Sequence, residues 1–296
     1  MLVLVVDSST PAVTAALAEV TADGVALRAH RCTVDARAHG ELLAPQVETV
    51  LADVGARPAD LGAIVAGLGP GPFTGLRVGL VTAATMGQVL GIPTYGVCSL
   101  DGIGHPTATP ATVAPGTEAS GTEAPGTATP ATAASSATAP ATAASSATTP
   151  ATAASSTAAA STEAGPVAPG DAPAGRATAG VGRVLVAADA RRKEVYWAVY
   201  DESGQRIAGP AVDAPTVAAA QARELAVTVA AGDGAHRYAD VLGLPLRVVP
   251  RYPDAAALVA LAAERIRAGA PGEALTPLYL RRPDAVAATS RKSVLP

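Results

Sequence analysis

Two apolar runs, each ending in an aspartate, constrain this chain more than any other feature. Residues 2–6 run Leu-Val-Leu-Val-Val into Asp7, and residues 184–188 run Val-Leu-Val-Ala-Ala into Asp189. A short unbroken apolar run reads as a strand buried on both faces. The same order of elements follows each run. In the first half, residues 14–20 and 25–31 flank Ala22-Asp23-Gly24 as a hairpin. Residues 39–54 read as a helix with Leu43, Val47, Val50, Leu51 and Val54 on one face and Gly55 as its stop. Pro45 must then sit near the first turn, or it would kink that helix. A strand at 63–66, a helix at 74–90 and a strand at 94–98 complete the half. In the second half, 194–200 and 205–208 form a hairpin around Glu202-Ser203-Gly204. A helix at 217–225, a strand at 227–230, a short helix near 237–242 and a strand at 246–249 follow. Asp254 then caps a helix that Gly269 ends.

A strand-strand-strand-helix-strand unit met twice is the layout of the actin-like, or sugar kinase–Hsp70, fold. The expected class is α/β: two duplicated RNase H-like β-β-β-α-β-α halves, each a mixed sheet covered by helices. Between the halves the composition changes to Ala, Thr, Pro, Ser and Gly, and Pro-Ala-Thr-Ala-Ala-Ser-Ser recurs from Pro130, Pro140 and Pro150. Prolines and glycines interrupt any helix there, and almost no large apolar side chain is available to bury, so the segment is expected to be a disordered insertion. A glycosylated stalk has the same composition but needs an exported protein. The expected organisation is an N-terminal domain at 1–104, the insertion at 105–182 and a second domain at 183–252. The remainder, 253–296, is a C-terminal helix and tail, the helix packing back on the first domain.

The charge balance excludes some functions. Lys and Arg number 21 against 25 Asp and Glu, a formal net charge of −4, and Lys193 and Lys292 are the only lysines. No basic stripe interleaved with aromatics is present, so a role with RNA is expected to run through a partner. Cys32 and Cys98 are too few for a disulfide framework or a cysteine-rich zinc site. His30, His39, His105 and His236 are scattered, and no metal site is expected. The opening apolar run is too short for a signal peptide, and no later run reaches the roughly 18 residues of a membrane span. A cytoplasmic protein with no membrane partner is expected.

The stretches that carry chemistry elsewhere are incomplete here. Asp7-Ser8-Ser9-Thr10 offers hydroxyls and amides for an anion or a metal-bound water, but it also reads as a plain strand-end turn. Asp189 is followed by Ala190-Arg191-Arg192-Lys193-Glu194, with no glycine to admit a phosphate. Asp7, Ser9, Thr10 and Asp189 are therefore expected to be a vestigial nucleotide site, and no residue is assigned as catalytic. Gly232-Asp233-Gly234 reads as a strand-to-helix turn. Residues 67–79, Gly-Leu-Gly-Pro-Gly-Pro-Phe-Thr-Gly-Leu-Arg-Val-Gly, precede a helix but lack the Lys-Ser/Thr pair of a Walker A loop. Pro70 and Pro72 also lack amide donors. Along the helix, Gly75, Gly79, Ala83 and Gly87 recur every fourth residue, a flat stripe on which another helix can pack. Either a partner or the chain's own domain can fill it.

Residues 69–79 resemble the Gly-Pro-Gly-Ser-Phe-Thr-Gly-Leu-Arg-x-Gly signature of the TsaB (YeaZ-like) family, with Pro72 in place of serine. The matching positions are Gly69, Pro70, Gly71, Phe73, Thr74, Gly75 and Arg77. Further anchors occur in family order: residues 7–10, 39–45, 96–100, 189–197 and 277–281. The insertion is not part of the usual pattern. The resemblance implies a non-catalytic subunit that pairs with TsaD, and with the ATPase TsaE, to install threonylcarbamoyladenosine at adenosine 37 of tRNAs reading ANN codons. It implies contact with tRNA through the complex and no cofactor for the chain alone, while ATP or ADP at the complex interface stays open. It implies packing through N-terminal-domain helices, here Gly75, Leu76, Gly79, Leu80, Ala83 and Gly87 with Leu43, Val47 and Val50; self-association through the same helices when TsaD is absent is a subsidiary hypothesis. TsaD-type proteins place paired metal-binding histidines where this chain has Ser99 and Ile103. On this reading Gly79→Leu or Ala83→Leu breaks the heterodimer and leaves the monomer folded. The alternative is a divergent enzyme of the actin-like superfamily, a kinase, ATPase or glycoprotease-like metallopeptidase, using Asp7, Ser9 and Asp189.

Overall fold

The computed structural model describes residues 1–105, 182–248 and 250–281. The sequence-based expectations for the insertion and for the last residues lie outside these. The first half follows from its strand patterns. β1 (Leu2–Asp7) pairs antiparallel with β2 (Ala12–Val20) and parallel with β4 (Leu61–Gly67). β3 (Val25–Val34) and β5 (Thr94–Val97) form the edges, giving the order β3-β2-β1-β4-β5. β1 and β4 are covered on both faces, and so read as continuous apolar runs, whereas edge strand β3 alternates. Period two sorts their side chains. Val3, Val5, Ala16, Ala18, Ala63 and Val65 face one core, and Leu4, Val6, Ala15, Leu17, Ile64 and Ala66 face the other.

Helices α1 (His39–Val54) and α2 (Phe73–Leu90) cover the second of these faces. Pro45 is not in the first turn of α1: it is the seventh helical residue and lies within the helix. Gly55 ends α1 in the left-handed conformation, with its N–H bonded to the Ala52 carbonyl.

The second half builds β6 (Val184–Asp189), β7 (Val195–Tyr200), β8 (Arg206–Asp213) and β9 (Val229–Ala231) in the order β8-β7-β6-β9. α4 (Pro215–Glu224) covers one face with Ala218, Ala219 and Ala222. The strand expected at 246–249 is reduced to one bridge, Leu246 to Ala230. The short helix expected near 237–242 is two turns, α5 (Asp233–Arg237) and α6 (Ala239–Leu242).

The halves share a core. Val184, Val186, Ala198 and Tyr200 pack with Cys98, Leu100 and Ile103, the last lying in α3 (Asp101–Gly104). α3 fits there because it is small. A Cβ on Gly104 would lie 2.4 Å from the Tyr200 ring, and one on Gly102 2.9 Å from Leu258. Leu258 belongs to α7 (Ala255–Arg267), which lays Leu258, Val259, Ala262 and Ile266 on the free face of the first sheet. Asp254 caps α7 by accepting the Ala257 N–H at 2.8 Å. The following residues form a strap along β5, where the Glu273 N–H donates to Thr94 O, Arg265 pairs with Glu273 at 2.6 Å, and the Leu278 N–H donates to Leu68 O. No helix among the described residues is long and apolar enough to cross a membrane.

Candidate functional site

Asp7 ends β1 at the centre of the first sheet, where an actin-like enzyme would present a carboxylate to its ligand. Here the carboxylate is wholly buried and both oxygens are engaged. Oδ1 accepts the Ser9 N–H at 2.9 Å and the Ser9 hydroxyl at 2.8 Å, and Oδ2 accepts the Ser99 hydroxyl at 2.5 Å. Ser99 Oγ in turn accepts the Gly69 N–H at 3.0 Å. Gly67 closes the remaining side, since a Cβ there would lie 1.7 Å from Asp7 Oδ2. Burial raises the Asp7 pKa above the usual carboxylate value, and the hydroxyl and amide donors oppose that shift. Thr10 Oγ1 accepts the Ala12 N–H, and the Thr10 carbonyl lies 2.8 Å from His39 Nε2.

The small-residue stripe of α2 faces inward, which corrects the expected docking residues. Gly75, Leu76, Gly79, Leu80, Ala83 and Gly87 are all buried within the domain, as are Leu43, Val47 and Val50 of α1. The chain's own side chains fill the stripe. A Cβ on Gly79 would lie 2.6 Å from Ser8 Oγ, one on Gly75 3.1 Å from the His39 ring, and one on Gly87 2.5 Å from Thr94. Ser8 goes further. Its hydroxyl accepts the Gly79 N–H and donates to the Gly75 carbonyl, each at 2.8 Å. These are the two groups that a regular helix joins directly, so the hydroxyl sits across one rung of the ladder. This packing opposes the expectation that Gly79→Leu spares the monomer, since the new side chain would meet Ser8.

What α2 exposes is the opposite ridge: Arg77, Val81, Ala84, Thr85, Gln88 and Val89. Val81 is 61% and Val89 78% exposed. At the helix start, Phe73 stacks on Tyr279 with centroids 5.2 Å apart, and the Arg77 guanidinium lies 4.6 Å from the Phe73 centroid.

The Asp189 turn stands opposite. Asp189 accepts the Arg191 N–H at 3.2 Å and pairs with Arg237 at 3.3 Å, and Glu194 pairs with Arg281. Arg191 lines a cavity of about 160 Å³ with Thr10, His39, Pro72, Phe73 and Thr74. Of the four residues expected as a vestigial site, only Thr10 lines that cavity; Asp7 is turned inward and Asp189 is tied to Arg237. Ile103 is fully buried in the shared core. Among the described residues no group of three or more His, Cys, Asp or Glu could hold a metal ion. The Ser99–Asp7 bond, the Ser8 insertion and the Phe73–Tyr279 stack escape sequence reasoning because each joins residues far apart in the chain. The Gly-x-x-x-Gly spacing was the one available sign of the Ser8 approach.

Fold and site together define a duplicated actin-like α/β protein whose strand-end aspartate is bonded internally. The chain is 38% identical over 283 residues to Uncharacterized protein Rv3421c of Mycobacterium tuberculosis, covering 96% of this chain and 93% of that one. Uncharacterized protein Mb3455c of Mycobacterium bovis matches to the same extent. The chain superposes on YeaZ from Pseudomonas aeruginosa with a TM-score of 0.57 at 21% identity, over 94% of this chain and all of that one. An uncharacterized Pseudomonas aeruginosa protein with similarity to peptidase YEAZ gives 0.58 at 22%, over 95% and 99%. At such identities the likeness establishes the fold. The profile of the family described as "TsaD: tRNA N6-adenosine threonylcarbamoyltransferase" matches residues 33–120. A protein of that name from Erythrobacter litoralis is 44% identical over 69 residues, 23% of this chain and 20% of that protein. The chain belongs to the family of the mycobacterial proteins, and its fold is that of the YeaZ structures.

Proposed function

We propose that this chain acts in the cytoplasm as a non-catalytic subunit in tRNA threonylcarbamoyladenosine synthesis, pairing with a TsaD-type transferase and its ATPase, TsaE. The observation that carries the non-catalytic reading is the Asp7 site. A carboxylate that would meet a metal or phosphate is saturated by Ser9 and Ser99 and walled by Gly67. Chemistry at Asp7 would first have to break a buried hydrogen-bond network, and each such bond is costly to leave unmade. A nucleotide, ATP or ADP, would then meet this chain only at the interface of the complex.

The docking face in this reading is the exposed ridge of α2, with Val81 and Val89 at its centre and the outer side of α1 beside it. Exposed valines along one helix suit a helix-on-helix contact with a partner, or with a second copy when the partner is absent.

Reconstitution of tRNA modification with a TsaD-type partner, with and without this chain, is the test. Activity should depend on the chain, and the chain alone should show no turnover. Val81→Arg should remove co-purification with the partner while leaving the circular dichroism and melting curve of the chain unchanged. Undiminished co-purification would refute the docking face. Turnover by the isolated chain, or ATP binding measured calorimetrically, would favour the enzyme reading.

A further inference from the structure

Three consecutive cations of this acidic chain stand at one strained turn. Arg191, Arg192 and Lys193 have φ of 61°, 53° and 61°, three successive non-glycine residues in the left-handed region. Such a run is rare and costly, and it holds three exposed basic side chains at the tip between β6 and β7. The turn's own carboxylates are already committed, Asp189 to Arg237 and Glu194 to Arg281. Among the described residues, Arg191 and Lys193 have no ion-pair partner. They splay to two sides. Arg191 lines the cavity beside Phe73, and Lys193 lines a second depression of about 450 Å³ with Arg237 and Tyr238.

An aromatic stack adjoins the same cavity. Phe73 is 56% and Tyr279 45% exposed, whereas Tyr95, Tyr196, Trp197 and Tyr200 are buried. Arg77 covers one end of the stack and Tyr279 forms the other. Arg281 ties this strap to the turn through Glu194. Arg191 beside these rings, with Lys193 on the other side of the turn, offers what a single strand of nucleic acid requires: cations for phosphates and the outer face of Tyr279 for a base. An acidic peptide needs only the cations.

We propose that the Arg191-Arg192-Lys193 turn and the Arg77–Phe73–Tyr279 stack form a contact surface for single-stranded RNA, within the complex the unpaired part of the tRNA substrate. This assignment of the substrate rests on the function proposed above. It also revises the expectation that tRNA is met only through a partner, because the missing basic stripe is replaced by a cluster the turn assembles.

The test is fluorescence anisotropy of a labelled tRNA transcript with an ANN-reading anticodon, titrated with the complex of this chain and its TsaD-type partner. The double variant Arg191→Glu/Lys193→Glu should raise Kd at least tenfold and lower the slope of log affinity against log salt by about one to two. Arg191→Gln/Lys193→Gln should do the same more weakly, and Tyr279→Ala should raise Kd severalfold with the slope unchanged. Retained melting curves and co-purification show that the variants fold and assemble. An unchanged Kd and slope in the reversed variant overturns the inference and leaves the function standing. Failure to form the complex instead removes the functional reading. The chain alone is then titrated with the same transcript: binding lost on charge reversal sustains the RNA surface, and no binding at low salt overturns it. Polyglutamate displacing the transcript at equal concentration would assign the turn to an acidic protein segment and also overturn it.

Discussion

Ser99 shows how much rests on a single hydroxyl. It donates to Asp7 and accepts from Gly69 N–H, so one side chain joins the end of β1, the loop before α2 and the end of β5. Ser99→Ala removes the partner of a buried carboxylate oxygen and of a buried amide. The expected cost is about 2–4 kcal/mol, read as a lower midpoint in urea with the slope unchanged. A loss under about 0.5 kcal/mol would show that the network does not depend on this hydroxyl. Asp233 gives a second residue-scale expectation. Burial first, with Asp189 nearby, pushes its carboxyl up to about 6 from 3.8. The folded chain keeps that proton after the unfolded chain has released it. Stability should therefore fall as pH rises from about 4 to about 6, then level off. Asp233→Asn mimics the protonated form. It should match the parent below about pH 4 and exceed it above about pH 6 by roughly 1–3 kcal/mol. A pH–stability profile that keeps its slope in the variant would rule this out.

At the scale of elements, α2 is defined by which of its sides is filled. Gly79→Leu should unfold the domain rather than merely block a partner, because Ser8 occupies the space. A folded Gly79→Leu monomer, with the parent's melting temperature, would contradict the observed packing. Ser8→Ala removes the hydroxyl bonded to both the Gly79 N–H and the Gly75 carbonyl, and amide exchange at Gly79 should quicken in response. The stripe also marks the limit of sequence reading. A glycine or alanine every fourth residue announced a close approach, but not which neighbour approached. Ser8 lies 71 residues away from Gly79, beyond the reach of any periodicity. Strands were more legible: β1 and β6 carry their burial in unbroken apolar runs. The strand expected at 246–249 was not, because of its described residues only Leu246 reaches the sheet and the core, while Val248 is exposed. Pro45 was misplaced for a related reason. Its missing N–H disfavours a helix interior, but the residues beneath it, Leu43, Gln46 and Val47, hold the helix to the sheet.

For the whole molecule, the duplicated pattern gave the architecture, while the contacts between the halves had no sequence signal. Tyr200 of β7 donates to Asp101 of α3 at 2.7 Å, Arg206 pairs with the same carboxylate at 2.8 Å, and one core spans both sheets. The two halves should therefore unfold together. Trp197, the only tryptophan, reports the second sheet, and far-ultraviolet dichroism reports both. Their denaturation curves should coincide, and Tyr200→Phe should shift both curves equally, by about 1–2 kcal/mol. Separate transitions would show the halves to be independent.

The Ser8 hydroxyl, finally, acts as a gauge block. It bonds both a carbonyl and an amide one turn apart in α2, and so it pins the start of that helix to the end of β1. Val81 and Val89 project from the far side of that helix. The aim of the exposed ridge is thus calibrated from the inside, by one oxygen at the edge of the central strand. Variants at Ser8 should misalign that ridge without altering a single residue on it.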